Sequence, residues 1–183
     1  MPRRNRPSSA RLALGGVFGA LALAVMLLGS VLPAATIAAP AFAGILIVPV
    51  AIEWGMKTGY LLYGAIGILS LMVVPDKEMA LLFVFFLGYY PLAKARIERL
   101  RRRGAQWAVK IALFNGAVLL AYGLILFVFP LPEVREEFAA MGWAFAAALL
   151  ALGNVTFALY DVAVARTVGL YCARLRPQLL RKR

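Results

Sequence analysis

A chain of 183 residues that is 63% hydrophobic and 15% charged falls well below the roughly 25% charge of an ordinary soluble chain, and its mean hydropathy of +0.85 is that of an integral membrane protein. It has no histidine and a single cysteine, Cys172, which excludes an intrachain disulfide, the common His/Cys metal sites and the usual general base. The net charge of +12 resembles a nucleic-acid-binding signature, but a binding arm needs a soluble domain behind it and the sequence offers none. Basic residues gathered in the cytoplasmic loops of a membrane protein give the same total.

Residues 1–10 are polar and basic, with Arg3, Arg4 and Arg6 ahead of Arg11. A secretory signal begins in the same way, and residues 39–43 offer an A-x-A-like pattern. The apolar stretch after Arg11 is nevertheless longer than a signal core of about 7–15 residues, so it reads as an uncleaved first span. No charge falls between Arg11 and Glu53, an interval of 41 residues, which holds two spans of about 20 residues. The turn between them is PAATIAAP, bracketed by Pro33 and Pro40. Span one is then 12–32 and span two 38–52, with Pro49 as a kink. EWGMK is the first inner connection, and its Glu53 and Lys57 stand in the favourable i, i+4 order.

Span three, 58–74, ends in the polar turn Pro75-Asp76-Lys77-Glu78. Span four, 79–93, carries the aromatic run LLFVFFLGYYPL, and Lys94 lengthens it by snorkelling. The block KARIERLRRR at 94–103 follows, with six basic residues and one acid, Glu98. Such a block does not translocate easily and stays in the cytoplasm. Span five is 107–129, with Lys110 near its inner end. An acidic outer loop, PLPEVREEF, leads to span six at 142–163. Asp161 and Arg166, five apart at the inner end of that span, fit either an ion pair that anchors the helix or a contact with a partner's coupling helix, and a basic tail follows.

With the central block inside, eighteen of the twenty Lys and Arg lie on the inner side and only Lys77 and Arg135 lie outside. The bias fixes the orientation, and the lipid leaves the backbone no partner but its own helix. The expected architecture is an all-α integral membrane bundle of six transmembrane helices with both termini cytoplasmic. A single transmembrane domain, 11–170, stands between the N-terminal segment 1–10 and a tail at 171–183.

Span one carries small residues at Ala13, Gly16, Ala20 and Ala24, spaced to line one helix face. Such a face lets another helix come close. Two partners fit it: the protein's own spans, or a separate membrane subunit. Six short spans, a basic start and this stripe resemble the substrate-binding S component of energy-coupling factor (ECF) transporters. The resemblance runs through RLALGGVFGALALAVMLLGS, LLFVFFLGYYPLAKARIERL and KIALFNGAVLLAY, about two thirds of the chain. It implies a multi-pass protein of a prokaryotic cell membrane that captures a vitamin or other micronutrient at the outer face. It also implies docking through the stripe on a transmembrane T component with two cytoplasmic ATPases. The vitamin-binding residues of that family change with the ligand, so none transfers by motif.

The residues themselves suggest where a ligand would sit. Outer-half polar and aromatic positions are Asp76, Lys77, Glu78, Tyr122 and Trp143, with Asn115 and Asn154 near mid-span. Polar groups at depth are costly and point to function. Each has a structural alternative: a hydrogen bond between helices for the two asparagines, a solvated turn for Lys77, an interface belt for Trp143. The aromatic cluster around Tyr89 and Tyr90 fits ring stacking or plain core. No Walker A, dinucleotide or G-x-S-x-G pattern is present, and no mid-span carboxylate offers proton coupling. A binding protein without cofactor, metal or catalysis is expected; the alternative is a small helical scaffold whose basic loops hold anionic lipid or a cytosolic partner.

Overall fold

The computed structural model describes residues 9–32, 35–127 and 143–175. The acidic loop at 130–138, residues 1–8 and the end of the basic tail lie outside that set. Every element within it is helical: α1 (Ser9–Gly29), α2 (Ala38–Trp54), α3 (Met56–Val73), α4 (Lys77–Leu82), a π-helical turn (Phe83–Leu87), α5 (Tyr90–Ile97), α6 (Arg103–Phe127), α7 (Trp143–Leu170) and a second π-helical turn (Tyr171–Leu175). Among the described residues four stretches are long and apolar enough to cross a membrane, Met56–Val73, Lys77–Ile97, Arg103–Leu124 and Phe145–Arg174, and Ala13–Gly29 and Ala38–Trp54 are shorter apolar helices. The fold is that of an all-helical protein compatible with multi-pass membrane insertion.

Helix ends depart from the expected boundaries for local reasons. α1 starts and stops three residues early. Pro40 lies inside the first turn of α2 rather than in the preceding connection, a place where its missing N–H costs little. The inner connection expected over 53–57 contracts to Gly55, whose φ of 92° belongs to the region that glycine enters without penalty. The polar turn contracts too. The Asp76 carboxylate caps α4 by accepting from the Met79 amide at 2.9 Å, and Lys77 turns back so that its ammonium donates to the Leu71 and Val74 carbonyls at 3.0 and 2.9 Å. These caps satisfy groups that a helix end leaves open. Thr36 donates to Asp76 at 3.1 Å, which ties the α1–α2 connection to the same corner. At the other end of the chain, helix continues to Leu175, so part of the expected tail is helical.

α4, the π-helical turn and α5 form one central span, the most buried in the bundle. Two apolar clusters meet on it. Phe83 packs with Met26, Ile47, Ile66 and Met79 of α1 to α4. Phe86 and Tyr90 pack with Phe157, Tyr160 and Val164 of α7. Pro91 enters α5 at its first turn and cannot donate back to the carbonyl of Leu87. The Tyr160 hydroxyl donates to that carbonyl instead, at 2.9 Å. The Tyr63 hydroxyl donates likewise to the Val84 carbonyl. Freed backbone groups in an apolar span are re-satisfied in this way by neighbouring helices. Gly44 makes the crossing possible, because a Cβ there would run into the Leu87 carbonyl.

Candidate functional site

A cavity of about 1020 Å³ opens between α2, the central span, α6 and α7. It starts at the end of the bundle where α3 meets α4, beside Ile37, Glu78 and Tyr122, and runs down to Tyr160 and Ala163. Its walls are mostly Ala, Leu and Phe. The polar side chains that line it are Glu78, Tyr122, Thr156 and Tyr160, and among the described residues no Lys or Arg does. Tyr122 donates to the Glu78 carboxylate at 2.6 Å, joining the end of α6 to the start of α4.

The base of the cavity is aromatic. Phe114 and Phe157 stack with centroids 5.0 Å apart, and Phe86 meets both edge-on at 5.3 Å. Tyr90 lies on the far side of this layer, against Phe86 at 4.9 Å and Phe157 at 5.0 Å. Its hydroxyl donates to Asp161, and there a buried ion cluster begins. Lys94 binds Asp161 and also Glu98 at 2.7 Å. Lys110 lies 2.9 Å from Asp161 and 3.0 Å from Glu98. The two lysines are each 4% exposed and Asp161 5%, whereas the Glu98 side chain is 45% exposed. Two cations face two anions, so the cluster balances its charge while joining α5, α6 and α7. Burial pushes the Glu98 carboxyl up, but the ammonium groups of Lys94 and Lys110 outweigh it and hold the group below its ordinary value.

The cluster corrects two expectations. Asp161 pairs with Lys94 and Lys110, and Arg166 is exposed. Lys94 does not snorkel, because its ammonium is drawn inward by two carboxylates. The signal was available as two lysines and two acids flanking the ends of three apolar spans, but only the fold shows which of them meet.

The expected ligand residues divide. Glu78 and Tyr122 come together on the cavity wall. Asp76 and Lys77 cap helices. Asn115 and Asn154 form a reciprocal amide pair, 3.0 Å in each direction, and each amide also donates to the carbonyl four residues back. The pair is a hydrogen bond from helix to helix. Trp143 is the first residue of α7, and its side chain lies outside the described set. Tyr90 is core, and Tyr89 packs against Tyr63 and Phe86. Ala13, Gly16, Ala20 and Ala24 are all exposed, while Gly19, Ala22, Met26 and Gly29 of the same helix face the bundle. The stripe is therefore not packed against the protein's own helices. Tyr160 was not anticipated as a site residue; it lines the cavity and completes the broken backbone of the central span.

No family model, no curated protein and no solved structure matches this chain.

Proposed function

We propose that the chain is the substrate-capture subunit of an ECF-type micronutrient importer. In this reading six helices span a prokaryotic plasma membrane with both termini in the cytoplasm, as the distribution of Lys and Arg requires. The observation that carries the reading is the cavity, which in this orientation opens in the outer half and closes below on aromatic rings and the ion cluster. A concave, largely apolar chamber with a few polar groups is the ordinary form of a small-molecule site. The outward face of α1 supports it further, since Ala13, Gly16, Ala20 and Ala24 leave a smooth surface for a T component. The chain itself binds and carries, and ATP hydrolysis belongs to two cytoplasmic partners.

Native mass spectrometry of the protein gently extracted from its own host tests this. We expect a T component and paired ATPases to accompany the wild-type chain, and Gly16→Leu or Ala20→Leu to remove them while the bundle stays folded. A wild-type chain that comes out with lipid alone, or co-purification that survives both substitutions, overturns the reading.

A further inference from the structure

The turn between α5 and α6 gathers charge that its own acid does not balance. The segment KARIERLRRR holds six basic residues and Glu98 as its one acid. Glu98 gives its carboxylate to the buried Lys94 and Lys110, so the segment offers no acid to Arg99, Arg101, Arg102 and Arg103. All four are exposed. The turn is also held in shape. The Gln106 amide donates to the Glu98 and Leu100 carbonyls at 3.2 and 2.8 Å, and the Leu100 backbone amide donates to the Ile97 carbonyl at 3.0 Å. The patch continues toward α3, where Lys57 is exposed and the Arg96 guanidinium lies 5.3 Å over the Tyr60 ring. A guanidinium presents a planar fork that matches a phosphate, and four of them on one short turn form an anion-binding surface.

What lies beside the arginines says which anion. The turn stands where two stretches long and apolar enough to cross a membrane, Lys77–Ile97 and Arg103–Leu124, run out. For an embedded chain that is the depth of the lipid headgroups. Arg103, Trp107 and Ile111 are four residues apart and share one face of α6. All three are exposed, Trp107 by 42% and Ile111 by 44%. Leu100, on the turn itself, is 42% exposed. Along that face a guanidinium gives way to an indole and then to an aliphatic side chain. A phospholipid passes in the same order from phosphate through the interface to its acyl chain. An acidic protein arriving from water would meet the arginines and gain nothing from Trp107 and Ile111.

We propose that this turn binds an anionic phospholipid, with the phosphate on Arg99, Arg101, Arg102 and Arg103 and an acyl chain along Trp107 and Ile111. The site requires a bilayer at the turn and is independent of the importer reading.

Nanodiscs of phosphatidylcholine and phosphatidylglycerol in equal amounts test this, with the lipids that leave with the full chain counted by native mass spectrometry. We expect wild type to retain the two lipids in a ratio shifted at least about tenfold toward phosphatidylglycerol, since each arginine near an anionic surface contributes about fivefold. The joint variant Arg99→Gln, Arg101→Gln and Arg102→Gln should return the ratio to that of the bilayer. Its melting temperature should stay near that of wild type, because the three side chains are exposed. Added salt should lower the wild-type ratio as well, since exposed charges are screened, and this arm needs no variant. Glycerol phosphate and oligoglutamate, which carry the charge without a chain, should leave the retained lipid in place. A wild-type ratio equal to that of the bilayer overturns the proposal, as does a shift that survives the joint variant or added salt. Displacement of the lipid by oligoglutamate overturns it in favour of an acidic protein partner, and displacement by glycerol phosphate in favour of a free phosphate.

Discussion

The helices α1 to α3 with the central span, and the pair α6 and α7, are held by different physics. The central span is 67% buried, against 11% for α6 and 22% for both α7 and α3, whose outer side is also uncovered. The core of the first body is close-packed, with Met26, Ile47, Met79 and Phe83 fully enclosed. In a membrane-embedded chain the hydrophobic effect does not drive helices together, and such a body would depend on contact quality and small residues. The second body is fixed at a few points: the Asn115–Asn154 pair, the stacked Phe114 and Phe157, Tyr122 on Glu78, and the ion cluster. Polar attachments of this kind leave space between them, and the cavity occupies that space.

The ion cluster is where that contrast breaks most sharply. Asp161→Asn leaves Lys94 and Lys110 buried with Glu98 alone, and removal of one partner from a buried pair costs about 3–5 kcal/mol. We expect a large fall in thermal stability in detergent. The joint replacement Lys94→Met, Lys110→Met and Asp161→Leu removes the three buried charges together, leaves only the half-exposed Glu98, and should restore most of the loss, because apolar residues of similar size often replace a buried ion network at no cost. If the joint variant is no more stable than Asp161→Asn, the cluster holds α7 by more than charge balance.

The packed half should respond to volume instead. Gly44→Ala sets a methyl group against the Leu87 carbonyl, a backbone atom that cannot move aside, and overpacking of that kind costs about 1–3 kcal/mol. Gly116→Ala on α6 meets nothing within 4 Å and should gain up to about 1 kcal/mol from helix propensity. Thermal melts of the two variants under one set of conditions should move in opposite directions. Equal effects would mean that α6 is packed as tightly as α2.

The existence of the helices was legible in the sequence because apolar runs long enough to span leave few other readings. Their ends were less legible, because caps decide them. Asp76 and Lys77 looked like a solvated turn, and each instead closes a helix. The central span was expected as one segment, but its break at the π-helical turn depends on Gly44 and Tyr160, which lie 43 residues before and 73 residues after Leu87. The stripe on α1 was visible as a pattern, yet only the packing shows which side of the helix faces out. The ion cluster was the least legible. Lys94 looked like a snorkelling end, Lys110 like a charge at the inner end of its span, and Asp161 like a neighbour of Arg166. Their meeting is a consequence of topology, with 67 residues separating Lys94 from Asp161.

Glu98 gives the smallest and most selective comparison, because it is the exposed member of an otherwise buried set. Its carboxyl is held below its ordinary value of 4.5 by Lys94 and Lys110, so the folded chain binds that proton less readily than the unfolded one. A group with a depressed folded value stabilises the fold above its unfolded value and loses that contribution as pH falls through the folded one. The difference in melting temperature between wild type and Glu98→Gln should therefore be constant from neutral pH down to about pH 5 and shrink below pH 4.5. Because nearly half of the side chain is in solvent, the difference should be modest and should fall further with added salt. A difference that stays constant to pH 3 would mean that Glu98 acts through shape rather than charge, and the two lysines would then be balanced by Asp161 alone.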